Sequence, residues 1–529
     1  MTDATDAKGH RYGKKGARRS LIHTMGFRAL SQLATFLSYV VLVRGLPERE
    51  FGVLSLLYAF IPVVATIASL GLEQTLRRYQ PEYLAAGNAA ASAWLVRFVA
   101  SARFATNLVV IGAMLLLWHF VAPLFHLAPY RYEFALFGIL LLLHFQARIL
   151  QLSLASHMLQ AYSVGSMAVL PLIKLVSYLT LMATHSFSLQ TAIIADTIAY
   201  AVAYAFLSIA NRRLCRVPPG TGKFRPAREE RKRLFRYGLF NNFNDAGVFV
   251  LGVQSDNFFI AALMNPVAVG AYSFYARLSD MVNSLSPNRL FDNVIQPLFF
   301  AIPRAQAAVR IPRYFTLMLN INVIPQMAAL AYAIAYHDAI VTVLFGGKFL
   351  DSAALLPVVM GFSLLNIFSV PVTLVAQYAE KASTILLSKI TVLYQIPATL
   401  LLIPLFGLYG AALATGTATL LKNLFIWWHV RDTARWTNWK AVVGCAIVIW
   451  GAAIGICFAL RMTLPVPPSI QLILGAVVCV IALLAYIRSP AIAQSDRETL
   501  ANVLHGREVR VLNWLGLVPR HAASGGRLG

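Results

Sequence analysis

Apolar residues run along this chain in long blocks, without the short alternations of a soluble sheet or the one-sided stripes of a soluble helix. A block such as 105–124 has about the 20 residues that a helix needs to cross a bilayer, and comparable blocks recur from end to end. Backbone N–H and C=O groups in hydrocarbon need partners within their own segment, so each block is predicted to be helical. Reading the blocks between charge, Gly and Pro gives about fourteen spans. Their limits are 21–43, 51–70, 94–120, 134–154, 162–183, 189–209, 234–263, 267–299, 314–336, 353–378, 384–405, 408–430, 441–460 and 470–487. The expected fold class is all-α, a polytopic membrane protein.

The polar connections set the expected topology. Lys14, Lys15, Arg18 and Arg19, then Arg77 and Arg78, the run from Arg212 to Arg233, Arg304 and Arg310, and Arg431, Arg435 and Lys440 occupy alternate connections. The intervening connections are nearly bare of Lys and Arg. Basic connections stay on the cytoplasmic side during insertion, so both termini are expected there, in line with an even number of spans.

The chain also repeats itself with a shift of roughly 220 residues. LPEREFGVLS from Leu46 aligns with MNPVAVGAYS from Met264, placing Gly52 over Gly270, and LFHLAPYRYEFALFGIL from Leu124 follows the punctuation of LFGGKFLDSAALLPVVM from Leu344. Two parallel six-helix lobes are therefore expected, 21–211 and 234–431, joined by a basic linker at 212–233 and followed by two further helices within 440–488. Residues 1–20 form a basic cytoplasmic tail in this reading, with no cleavage-site pattern. Residues 489–529 form a second tail, whose Leu500, Val503, Leu504, Val509, Val511 and Leu512 make an amphipathic pattern.

Composition narrows the function. The 529 residues are 58% hydrophobic and only 12% charged, and the formal net charge is +24. Because the basic residues lie in short connections between apolar blocks, they suit cytoplasmic loops and anionic headgroups, not nucleic acid. Cys215, Cys445, Cys457 and Cys479 lack metal-ligand spacing and read as small packing residues. No Gly-rich phosphate loop, HExxH or clustered metal-ligand set is present, so no metal and no cofactor is expected, and a transporter is favoured over an enzyme.

Polar groups inside the spans are the candidate chemistry, since an ionisable side chain there costs about 2.5–3.5 kcal/mol and calls for a partner or a wet cavity. In span one, Arg28, Gln32, Thr35 and Tyr39 share a face; in span seven, Asn241, Asp245, Gly252 and Asp256 do so. Arg277 and Asp280 stand one turn apart in span eight, close enough to neutralise each other. Lys174 is alone in span five, Asp196 with Tyr200 and Tyr204 marks span six, and Thr415, Thr419 and Lys422 align in span twelve. Stripes from both lobes suggest a shared polar cavity. Polar groups also join helices, and terminal Lys or Arg side chains snorkel; a structural role of one kind or the other suits Arg289, Asp292 and Lys422 near their span ends. His119, His126, His144 and His157 read as packing or interfacial residues.

The runs GFRALSQLATFLSYVVLVRGLPEREFGVLSLL, SDNFFIAALMNPVAVGAYSFYARL, LFGGKFLDSAALLPVV and IPLFGLYGAALATGTATLLKN, in that order, resemble the polysaccharide-biosynthesis flippases. These belong to the multidrug, oligosaccharidyl-lipid and polysaccharide exporter superfamily. The resemblance covers roughly 18–431. It implies two lobes in a V that move a polyprenyl-diphosphate-linked oligosaccharide across a bacterial inner membrane by alternating access. Polysaccharide polymerase and glycosyltransferases are the implied partners, besides membrane lipids. Under this resemblance Arg28, Gln32, Lys174, Arg277 and Lys422 hold the substrate, the cations gripping its diphosphate. Asp245, Asp256 and Asp280 serve coupling or gating. Span eleven offers only Lys389 and Gln395, which puts sodium coupling in doubt. A multidrug cation antiporter of the same superfamily and a membrane-embedded glycan-assembly enzyme are the competing readings.

Overall fold

The computed structural model describes residues 14–215, 224–250, 253–290, 299–300, 302–494 and 497, with the side chains of 14–29, 160, 164, 240–253, 288, 290 and 382 outside that description. Every regular element among the described residues is a helix. Ten are long and apolar enough to cross a membrane. Leu408–Val430 is as long as these, but its Thr, Gly, Lys and Asn residues keep it out of that set.

One compact unit extends to Gly270. Its helices are α1 (Lys14–Gly45), α2 (Glu48–Ser69), α3 (Leu72–Ala85), α4 (Ala89–Leu116), α5 (Trp118–Leu124), α6 (Arg131–Ser156), α7 (Gln160–Ala183), α8 (Leu189–Leu214), α9 (Arg228–Val250) and α10 (Val253–Leu263). Leu70 and Gly71 both take positive φ and break the chain between α2 and α3. Span three starts earlier than its hydropathy suggests, because Asn88 caps α4 by accepting a hydrogen bond from the Ala91 N–H. α1 lies along α7, and α6 packs on both α4 and α8. α9 and α10, read in the sequence as one span, pack along α3 and α2 within this unit.

Those last contacts are unusually close. A Cβ on Gly71 would stand 1.7 Å from the Gly238 carbonyl oxygen, and one on Gly52 would stand 1.7 Å from that of Pro266 and 3.2 Å from the Gly270 nitrogen. The two glycines that the repeat aligns, 52 and 270, thus meet at one crossing. At the α3 and α9 crossing, the Tyr83 hydroxyl donates to Glu230 at 2.6 Å and Arg233 pairs with Glu82 at 3.4 Å. Burial, followed by the bond to Glu230, holds the Tyr83 phenol well above its ordinary pKa.

The other unit begins at Ala271, inside α11 (Pro266–Ser284). It continues with α12 (Ala307–Phe345), α13 (Leu355–Leu365), α14 (Ser369–Tyr378), α15 (Val392–Phe406), α16 (Leu408–Val430), α17 (Trp439–Thr463) and α18 (Pro468–Arg488). α12 covers 39 residues as two helices that meet at a kink at Tyr336, where the block expected at 314–336 ends; its first helix starts before that block. The block at 353–378 is broken by a 3-10 turn at Asn366–Phe368. Pro371 follows in the first turn of α14, where its missing N–H costs nothing. α17 and α18 pack on α12 around Trp450 and Tyr486. Trp436 Nε1 and Asn438 complete that seam by hydrogen bonds to Asn320.

The stretches that follow Leu124 and Leu344 take similar backbone courses. After α5, His126 takes positive φ, a 3-10 turn covers Ala128–Tyr130, and α6 begins at Arg131. After α12, Gly346, Gly347 and Phe349 take positive φ, a 3-10 turn covers Leu350–Ser352, and α13 begins at Leu355.

Cys215 follows α8, and burial pushes its thiol up to about 11. Only the thiolate is the nucleophile. With the other three cysteines replaced by Ala, alkylation by iodoacetamide is therefore expected to rise about tenfold per pH unit from 7 to 9 and to be rising still at pH 10. A plateau near pH 9 would contradict this burial.

Candidate functional site

The polar centre of the first unit is assembled from three helices. Ser188 starts α8 with a capping box that it shares with Thr191, and Glu50, at the foot of α2, accepts from the Leu189 N–H at 2.6 Å. These contacts fix the start of α8 against α2, two turns before Asp196. Asp196 is fully buried, which is tolerable for a carboxylate only if its oxygens are satisfied. Lys174 of α7 lies 3.0 Å from Asp196 Oδ1, and the Tyr178 hydroxyl, one turn on, donates to the same oxygen at 2.5 Å. The Tyr58 hydroxyl of α2 donates to Oδ2 and accepts from Lys174 Nζ at 2.9 Å. The Lys174 ammonium also stands 5.3 Å from the ring centres of both Tyr58 and Tyr200. The cage is electrically neutral, with one cation against one anion.

Tyr200 joins this cage to a cavity of about 340 Å³ between α6, α7 and α8, lined by His144, Arg148, Gln151, Ser166 and Met167 among others. The His144 ring packs edge-on against Tyr200 at 5.2 Å, and its Nδ1 is buried without a hydrogen-bond partner. Gln151 donates to Ser166 Oγ at 3.0 Å, which turns its amide oxygen toward Arg148 at 3.5 Å. α1 reaches the cavity wall where Ser31 Oγ donates to the Met167 carbonyl at 2.7 Å.

A second polar layer lies beside it. Arg103 of α4 is fully buried, stacks 4.3 Å above the Phe145 ring, donates to the Ala65 carbonyl at 3.3 Å and stands 3.7 Å from Glu73. Asn107, one turn away, is also fully buried, and neither polar atom of its side chain has a partner. A chain from Gln80 through Ser153 to Asn211 links α3, α6 and α8.

The residues singled out in the sequence are placed unevenly. Lys174 and Asp196, chosen from different spans, come together as an ion pair. Gln32 is half-buried on α1, one residue beyond Ser31, and Asp256 is fully buried in α10. The side chains of Arg28 and Asp245, and residues Gly252 and Asp292, lie outside the described residues. Asp280 in the second unit lies between two arginines, 2.9 Å from Arg289 and 3.9 Å from Arg277, with all three side chains about half exposed. Lys422 forms no ion pair among the described residues, and its charged neighbour is another cation, Lys389. Arg148 is not among the residues singled out from the spans, and His144, expected as a packing or interfacial residue, lines the cavity. The available signal was the stripe His144, Arg148, Gln151, spaced four and three along one helix face.

Residues 17–302 match the family model described as polysaccharide biosynthesis protein. The chain belongs to that family. Among solved structures, this family member is similar to a multidrug resistance MATE family transporter of the MOP superfamily in an inward-facing conformation. That match has 14% identity, covers 78% of this chain and 98% of the other, and has a TM-score of 0.63. It is also similar to the lipid II flippase MurJ in an inward closed conformation, at 11% identity over 88% of this chain and 97% of that one, with a TM-score of 0.57. At these identities the likeness establishes the fold, an all-helical membrane architecture shared with MOP-superfamily transporters. A search of curated proteins finds no match.

Proposed function

We infer that this chain is a membrane transporter that moves a polyprenyl-diphosphate-linked oligosaccharide across a bacterial cytoplasmic membrane by alternating access, for surface polysaccharide assembly. One observation carries the choice of an anionic cargo: the cavity in the first unit is edged by the cation Arg148, while the neighbouring carboxylate, Asp196, is already occupied by Lys174 and two tyrosines. A carrier of lipophilic cations needs an open acidic or aromatic face, and this carboxylate offers none. Family membership supports the same substrate class, and the likeness in fold to a lipid II flippase is consistent with it.

Gln32, Lys174, Arg277 and Lys422, together with Arg28, remain the proposed substrate contacts, and Asp245, Asp256 and Asp280 the proposed coupling or gating groups. Polysaccharide polymerase and glycosyltransferases are the proposed partners. The test is a leaflet-translocation assay in proteoliposomes with a fluorescent short-chain polyprenyl-diphosphate oligosaccharide. Purified protein is expected to speed its appearance in the opposite leaflet well above empty liposomes. Binding of lipophilic cations without binding of diphosphate lipids would favour a drug antiporter, and product formed from lipid-linked sugar by the pure protein would favour an enzyme.

A further inference from the structure

We propose that the cavity among α6, α7 and α8 is a binding site for a phosphate-bearing anion, with Arg148 as its countercharge and His144 as a second donor. This deepens the reading of the chain as a diphosphate-lipid carrier and rests on it. A guanidinium does not lose its proton in proteins, so Arg148 is a fixed cation inside an apolar bundle. Its one hydrogen bond among the described residues, to Gln151 at 3.5 Å, is at the outer limit of such bonds and goes to a neutral group. The charged groups acting on it are Arg77 and Glu73, and Glu73 already faces Arg103 at 3.7 Å. Arg148 thus has no carboxylate within ion-pair distance among the described residues. The charge of Lys174 is balanced by Asp196.

The His144 Nδ1 is buried and unpartnered beside the same cavity, and with its proton on Nδ1 the imidazole donates to a phosphate oxygen. About 340 Å³ is at the small end of ligand sites, room for a phosphate or diphosphate with a little of what it carries, and too small for a whole oligosaccharide. The shared chemistry is a phosphate ester anion, from the polyprenyl-diphosphate cargo or from the headgroup of an anionic phospholipid.

The experiment titrates geranyl diphosphate into the purified full chain in phosphatidylcholine nanodiscs, comparing the parent with R148Q, R148K, H144Q and, as a charge control on the exposed face of α4, R97Q. R148Q is expected to bind about tenfold or more weakly, R148K and H144Q to fall between it and the parent, and R97Q to match the parent. Geranyl diphosphate is expected to raise the Tm of the parent and not that of R148Q. A folded R148Q that binds as tightly as the parent overturns the proposal; if R148Q does not fold, parent-like affinity in both R148K and H144Q does so instead. Repeating the titration in phosphatidylglycerol nanodiscs separates the sources. Competition lost in R148Q identifies the lipid headgroup, and undiminished affinity identifies the diphosphate. A parent that binds through Arg148 yet translocates no diphosphate lipid sinks the transport reading and leaves the site standing, whereas a parent and R148Q that bind and translocate equally sink the site alone.

Discussion

Asp196→Ala is expected to destabilise the protein by about 3–5 kcal/mol, the cost of leaving a buried charge without its partner. The loss falls on Lys174, whose ammonium would keep only the Tyr58 hydroxyl and the two aromatic faces. Lys174→Met is expected to cost less, because the Asp196 carboxylate would retain two phenol donors. The double variant Lys174→Met with Asp196→Leu is expected to recover much of the loss, since both charges leave together. Thermal unfolding in detergent gives the three values, and a double variant no better than Asp196→Ala would show that the cage is not governed by charge pairing. Once stable, the double variant also separates Lys174 from Arg148. Retained affinity for geranyl diphosphate would assign the anion to Arg148, and lost affinity would return the role to Lys174.

The second large effect is expected at the crossing glycines. Gly52→Ala places a methyl group 1.7 Å from a backbone carbonyl of Pro266, which has no flexible end to give way. α2 and the start of α11 must part, at about 1–3 kcal/mol for overpacking. Gly71→Ala meets the same obstacle at the Gly238 carbonyl and adds left-handed strain at φ +70, about 1–2 kcal/mol more. Gly87 is the internal control: its φ is +72, but nothing lies within 4 Å of the site of its Cβ, so Gly87→Ala reports the backbone strain alone. The expected order of Tm loss is Gly71→Ala, then Gly52→Ala, then Gly87→Ala. Equal losses at 71 and 87 would mean that the close approach of α3 and α9 is not maintained in the membrane.

Helical character was legible because hydrocarbon leaves the backbone no other way to satisfy its hydrogen bonds, so block length and hydropathy suffice. Breaks were less legible. The turn at Asn366–Phe368 interrupts a block that is apolar enough to read as one span, and beyond the kink at Tyr336 a further stretch of helix runs on to Phe345. Ends were displaced where a local cap acted, as at Asn88.

For the site, composition singled out Lys174 and Asp196 as misplaced in lipid, and the sequence alone determined that each needed a partner. It did not determine that they were partners of each other, because the spans carry no record of which faces meet. Packing of α2, α7 and α8 decided that, and with Lys174 neutralised it left Arg148, an arginine within its span, as the unmatched positive charge beside the cavity. Hydropathy is a property of one helix at a time and is therefore written in the chain. Charge balance inside a bundle is a property of several helices at once, and exists only after they pack.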